Sequence, residues 1–209
     1  MKKIFTIVLS LFCVFMFSNI CFSFDFSAAE IGDEILFGTY RQSSYSPEEI
    51  EWIVLDKDDE KMLLISKYAL DTKPFNSSWR VFLAEWENCS LRTWLNEDFM
   101  NTAFSSSEKQ RIIQTSHRDI DDYVFLLSSS EAREYFDSAT QRQCYPTEYA
   151  RNNGAWISSD NRKCCWWLRT SERVGYATTV NAVGDLHSDL ESVSTNDICV
   201  RPAIWISVS

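Results

Sequence analysis

The residues able to do chemistry in this chain are few. Its two histidines, His117 and His187, lie seventy positions apart, and no His-x-x-x-His or Cys-x-x-Cys spacing occurs. A zinc centre is therefore not expected, and the metal assignment is none. Serine is plentiful, but no Gly-x-Ser-x-Gly elbow presents one as a nucleophile. The carboxylate pairs Glu85/Glu87 and Asp121/Asp122 have the residue type of a glycosidase pair, yet carboxylates this close in sequence are usually surface charge. No catalytic residue is assigned. A hydrolase of the cell envelope, acting on glycan or peptide, stands as the alternative to a binding protein.

Arginine gives the sharper signal. Arg169 ends the run Trp166-Trp167-Leu168-Arg169, Arg201 interrupts Val200-Arg201-Pro202-Ala203-Ile204-Trp205-Ile206, and Arg92 lies between Leu91 and Trp94. A guanidinium stays charged, so one set in an apolar run must reach a carboxylate, loop carbonyls, a sheet edge or a ligand. Arg92, Arg169 and Arg201 are read as internal fasteners, with Trp94 and Trp167 as core partners; an anion-binding patch is the functional alternative. Trp86, Trp156 and Trp166 lie near loops or strand ends, where an aromatic ring stacks on sugars or peptide side chains. With Arg173 and His187 they form the candidate ligand-binding set.

These groups must be carried by a single body. Met1-Lys2-Lys3 followed by the apolar stretch Ile4 to Phe17 has the layout of an export signal, so residues 1–23 are read as a signal peptide or an uncleaved anchor. The remainder, residues 30–209, suits one domain with one core, placed outside the cytoplasm, secreted or at the envelope. Removing Lys2 and Lys3 with the leader takes the formal charge from −10 to −12. Such a surface repels phosphate backbones, so no nucleic acid partner is expected, and membrane contact is expected only through an uncleaved leader. Five cysteines follow the leader: Cys89, Cys144, Cys164, Cys165 and Cys199. The preferred bridge joins Cys144 to Cys164 or Cys165, with five buried thiols as the alternative.

Element signals alternate between strand and helix. Glu34 to Tyr40 reads as a strand, and Glu51 to Asp56 with Met62 to Ser66 as a hairpin around Asp58-Asp59-Glu60. Asn88 to Asn96 has one apolar helical face. Ser105-Ser106-Ser107-Glu108 and Ser128-Ser129-Ser130-Glu131 are capping boxes that start helices. Tyr123 to Leu127, Trp166 to Arg169, Tyr176 to Val180 and Cys199 to Val208 read as strands, and Pro146 to Ala150 as one helical turn. Sheet pieces at both ends with helices between them predict an α+β fold.

The order of these segments resembles a known family. Ile31-Gly32-Asp33-Glu34-Ile35-Leu36-Phe37-Gly38-Thr39-Tyr40, Trp86-Glu87-Asn88-Cys89-Ser90-Leu91-Arg92-Thr93-Trp94-Leu95-Asn96, Tyr145-Pro146-Thr147-Glu148-Tyr149-Ala150, Trp166-Trp167-Leu168-Arg169 and Val200-Arg201-Pro202-Ala203 carry the likeness. They resemble the bacterial domain-of-unknown-function family 6273, which is in turn distantly similar to the C-type-lectin-like fold in its formylglycine-generating variant. The resemblance implies a compact C-type-lectin-like α+β domain with a small twisted, mostly antiparallel sheet, short helices and long loops. The chain departs from the family at Thr170-Ser171-Glu172-Arg173, where Ser-Pro-Gly usually follows the arginine. Formylglycine-generating chemistry would need a spaced cysteine pair near the C-terminus, which Cys164-Cys165 and Cys199 do not supply.

Lectin-type calcium binding is only half represented: Asn196-Asp197 echoes one ligand element, and Asp185, Asp189 and Glu191 offer oxygens, but the other element is missing. No cofactor is expected, with calcium as the weaker alternative. The expectation is an exported, non-catalytic, lectin-like domain whose loops, Arg151 to Asn161 and Arg173 to Asn196, recognise a glycan or a cell-surface protein.

Overall fold

The computed structural model describes residues 25–77, 85–117, 120–171 and 173–209; the side chains of 187–190 fall outside that description. The leader assigned to residues 1–23 also lies outside the described residues. The fold is α+β, with short helices set between two sheets.

Three strands open the first sheet: β1 (Glu34–Arg41), β2 (Pro47–Lys57) and β3 (Lys61–Ser66). The β2–β3 turn forms where the acidic residues predict it. Asp58 accepts from the backbone N–H groups of Glu60 and Lys61, both at 2.9 Å, closing a tight turn with its own side chain. β4 (Asp71–Thr72) then begins the second sheet.

The helical middle contains α1 (Ser90–Trp94), a π turn over Leu95–Phe99, α2 (Met100–Ala103) and α3 (Ser106–Arg111). The helix expected over Asn88 to Asn96 thus starts two residues later and runs on through the π turn. Next come β5 (Ile112–Ile113), the hairpin β6 (Thr115–His117) with β7 (Ile120–Asp122), β8 (Val124–Phe125) and α4 (Ser129–Glu134). Both capping boxes are formed, with Glu108 and Glu131 each reaching back to the N-cap backbone. Two further helices, α5 (Ala139–Arg142) and α6 (Glu148–Asn152), precede β9 (Trp166–Trp167), β10 (Tyr176–Val180), β11 (Leu186–Ser192), β12 (Cys199–Val200) and β13 (Ala203–Ser207).

The first sheet has the order β1-β2-β3-β13-β5, with β8 also pairing β13; the second runs β11-β10-β9-β12-β4. All pairs are antiparallel except β12 with β9. The run Cys199 to Val208, expected as one strand, is two. It leaves the second sheet at Val200 and enters the first at Ala203. Pro202 has no N–H to give a ladder, so the chain changes sheets where a central strand would be interrupted anyway. The expected strands at Tyr123 to Leu127 and Trp166 to Arg169 shorten to β8 and β9, although Val124 to Leu127 and Trp166 to Leu168 are all buried. Arg173 to Asn196, expected as a ligand-bearing loop, is mostly the β10–β11 hairpin.

One continuous apolar core joins the two sheets. Trp166 and Trp167 are both fully enclosed although neighbours on a strand point to opposite faces, so β9 is covered on both sides. Gly38 sits at the β1 bulge with φ of 70°. A Cβ there would lie 2.6 Å from the Phe104 ring and 2.7 Å from the Ala103 carbonyl. The left-handed backbone and this contact together require glycine. Gly38→Ala is expected to cost about 3 kcal/mol, from strain plus overpacking, read as a lower denaturation midpoint at unchanged m-value.

Candidate functional site

Two of the three arginines build one cleft. Arg92, on α1, donates from Nε to Asp122 Oδ1 at 2.6 Å, while Asp122 Oδ2 accepts from the Trp86 indole at 2.7 Å. Asn96 Nδ2 lies 3.3 Å from the same carboxylate and 2.9 Å from the Val124 carbonyl. Asp122 is fully buried, so its charge is held by a guanidinium, an indole and an amide instead of water. The arrangement fixes β7 against α1 and sets the Trp86 ring in place beside Phe75, with 6.1 Å between centroids.

Arg169 forms the second clamp. Its two terminal nitrogens donate to Glu131 in bidentate fashion, at 2.5 and 2.6 Å, and Nη1 also reaches the Leu126 carbonyl at 2.6 Å. Glu131 is the capping-box residue of α4 and accepts from Ser128 N as well, at 2.8 Å. Burial pushes its carboxyl up, but the two bonds and the charge of Arg169 outweigh that and hold it below the usual glutamate range. The carboxylate is thus an anion fixed by three donor contacts, unsuited to giving up a proton.

His117, at the end of β6, completes this group. Its Nδ1 lies 3.1 Å from Arg169 Nη2, and its ring is 4.6 Å from that of Phe125. Guanidinium nitrogens only donate, so Nδ1 must accept, which puts the imidazole proton on Nε2. Nε2 is enclosed and, among the described residues, has no hydrogen-bond partner. Desolvation first, and then Arg169, push the His117 pKa below its ordinary 6.5, so the ring is neutral at pH 7.

Between these clamps lies a cleft of about 630 Å³. It is lined by Glu85, Trp86, Glu87, Ser116, His117 and Ile120 together with Ser128, Ser130, Glu131, Arg169, Thr170 and Ser171. The lining is therefore mostly hydroxyl and carboxylate, with Trp86 and Ile120 as its apolar part.

The expected residues distribute unevenly. Trp86 lines the cleft, but its ring is largely buried and its N–H is already engaged. Trp166 is not at a loop surface: it is fully enclosed, donates to the Arg142 carbonyl at 3.0 Å and carries Arg201 5.0 Å above its ring, so it serves the core. Trp167, read as structural, is enclosed as well and donates to the Lys73 carbonyl. Trp94 packs half-buried against the core. Trp156 is exposed at 48 % and Arg173 is exposed over the Tyr176 ring, and neither lines the cleft. The His187 and Asp189 side chains lie outside the described residues. Asp185 occupies the β10–β11 turn, and among the described residues no group of three or more His, Cys, Asp or Glu is placed to hold a metal ion.

Arg169 is both a fastener and part of the cleft wall, whereas Arg201 is enclosed elsewhere with its Nε on the Ser66 carbonyl at 2.9 Å. All five cysteines are free thiols, although Cys144 and Cys164 face one another. Sequence reasoning missed His117 and Glu131 as site residues. Only the capping box marked Glu131, and nothing local marks His117.

The model of one family, a domain of unknown function (DUF6273), matches residues 59–208. The chain belongs to this family. The match begins in the β2–β3 turn, so the DUF6273 region holds the whole cleft while β1 and β2 precede it. No curated protein and no solved structure matches the chain.

Two outcomes follow for this site. Asp122→Ala leaves Arg92 and the Trp86 N–H without their acceptor and is expected to cost about 3 kcal/mol of unfolding free energy, the low end for a buried pair because Arg92 keeps some solvent contact. A neutral His117 contributes stability that is fully present above pH 6.5 and lost as pH falls through its lower native pKa. The denaturation midpoint should therefore drop between pH 7.5 and 5. His117→Gln should flatten that drop, and a second loss below 4.5, from Glu131, should remain.

Proposed function

We propose that this protein is a non-catalytic binding domain that takes a glycan in the cleft between Trp86 and Arg169. The observation that carries the reading is the lining itself. Serine and threonine hydroxyls and carboxylates face one another across a concavity large enough for one or two sugar rings. Sugar hydroxyls pair with such acceptors and donors. The two arginine–carboxylate clamps hold these groups before any ligand arrives, which lowers the entropy lost on binding.

The distant resemblance to the C-type-lectin-like fold supports a carbohydrate ligand, and the signal-like first residues support a site of action outside the cytoplasm, secreted or at the envelope. The hydrolase reading has less behind it. Glu131 is held ionised by Arg169, whereas a glycosidase needs one carboxyl kept protonated as general acid.

A glycan array followed by calorimetry on the best binder tests the proposal. Binding without product release is expected, weakened about tenfold or more by His117→Ala or Glu131→Gln, since each removes a polar partner from a partly desolvated site. Binding unaffected by either change, or sugar released on incubation, would reject the reading.

A further inference from the structure

A second group of reactive side chains lies away from the cleft, where the start of β9 and α5–α6 meet. Cys144 and Cys164 are directly opposite one another in an isolated antiparallel bridge, with Cys164 N donating to the Cys144 carbonyl at 3.0 Å. Their thiols are within hydrogen-bonding reach, and the Cys164 thiol also meets that of Cys199. Residues opposed in an antiparallel pair have Cα atoms roughly 4.5–5.5 Å apart, inside the span of roughly 4.4–6.8 Å that a disulfide bridges.

The other pairings fit less well. Cys199 is opposite Trp166, two residues beyond Cys164, in a parallel pair, so it does not directly oppose Cys164. Cys165 neighbours Cys164 on the chain and so points away from Cys144; its thiol meets the Ala182 backbone instead. Cys89 is buried beside Arg92 and Asp122, against the cleft wall.

The surroundings favour Cys144 as the attacking sulfur. Arg201 is almost fully enclosed, and among the described residues its recorded bonds are to carbonyls, not to a carboxylate. Burial alone would push the Cys144 thiol up, but the Cys164 thiol and the Arg201 charge hold it below its ordinary value. Cys164 is pushed up by burial and by its two thiol neighbours. A sulfur stabilised as thiolate beside a protonated partner is the arrangement that thiol–disulfide exchange requires.

We propose that Cys144 and Cys164 are a disulfide-forming pair, closed by exchange with a disulfide donor, while Cys89, Cys165 and Cys199 stay reduced. The Cys144 thiolate attacks a donor sulfur and releases one donor thiol, leaving a mixed disulfide. Cys164 then gives up its proton and attacks Cys144 Sγ, releasing the second donor thiol. Two electrons and two protons pass to the donor. Both sulfurs are enclosed in the fold, so the bond closes as the chain folds.

Refolding the full chain in a mixture of oxidised and reduced glutathione, quenching with an alkylating agent and mapping the peptides tests this directly. The expected product carries a Cys144–Cys164 cross-linked peptide with Cys89, Cys165 and Cys199 alkylated, and it melts several degrees higher than the same sample with reductant. Cys165→Ser should leave the cross-link in place and Cys164→Ser should abolish it. Alkylation of both Cys144 and Cys164, or Cys144 linked to Cys165 or Cys199, would overturn the proposal. The map of the unsubstituted chain decides the matter even if a variant does not fold.

Discussion

A positive charge with almost no access to water sits where the last strand leaves one sheet for the other. Arg201 lies between the Trp166 and Phe136 rings, at 5.0 and 5.5 Å, with its nitrogens on the carbonyls of Ser66 and Arg142. Those carbonyls belong to the end of β3 and to α5, so one side chain ties the first sheet to the helix behind the second. A planar, weakly hydrated cation suits this place because it stacks on aromatic faces while its edge donates in fixed directions. Lysine has neither property, and an apolar residue would take a donor from the Ser66 carbonyl and leave the Arg142 carbonyl with the Trp166 N–H alone of these two donors.

The other two arginines apply the same chemistry nearer the surface, and there the by-product is a cleft. Arg92 gathers Asp122, Trp86 and Asn96; Arg169 gathers Glu131, His117 and the start of α4. Because each guanidinium is saturated by protein acceptors, neither is a free anion site. The polar groups left facing the cleft are hydroxyls and the carboxylates of Glu85 and Glu87. Fastening and recognition are thus done by one network, and a change in either clamp alters both.

Much of the local structure was legible in the sequence because its causes are local. Both capping boxes and the Asp58 turn depend on residues a few positions apart, and each formed as read. The sheet change at Pro202 was also visible in principle, since a proline inside a strand run argues against an unbroken central strand. What could not be read is the cleft, which is assembled from residues 85–87, 116, 117, 120, 128, 130, 131 and 169–171 by long-range packing. The misplacement of Trp166 has a similar origin. A strand-end tryptophan looks available until a second layer is known to cover it, and β9 is covered on both faces.

The position of β13 bears on how the chain acquires its shape. This segment follows in chain order every strand it pairs with, yet it lies inside the first sheet, between β3 on one side and β5 and β8 on the other. Until it is in place, three apolar strands have unsatisfied backbone edges, which are templates for pairing with other chains. Sheet closure must therefore await synthesis of β13, and a product without Ala203–Ser207 would lose the keystone of the sheet and be prone to aggregate.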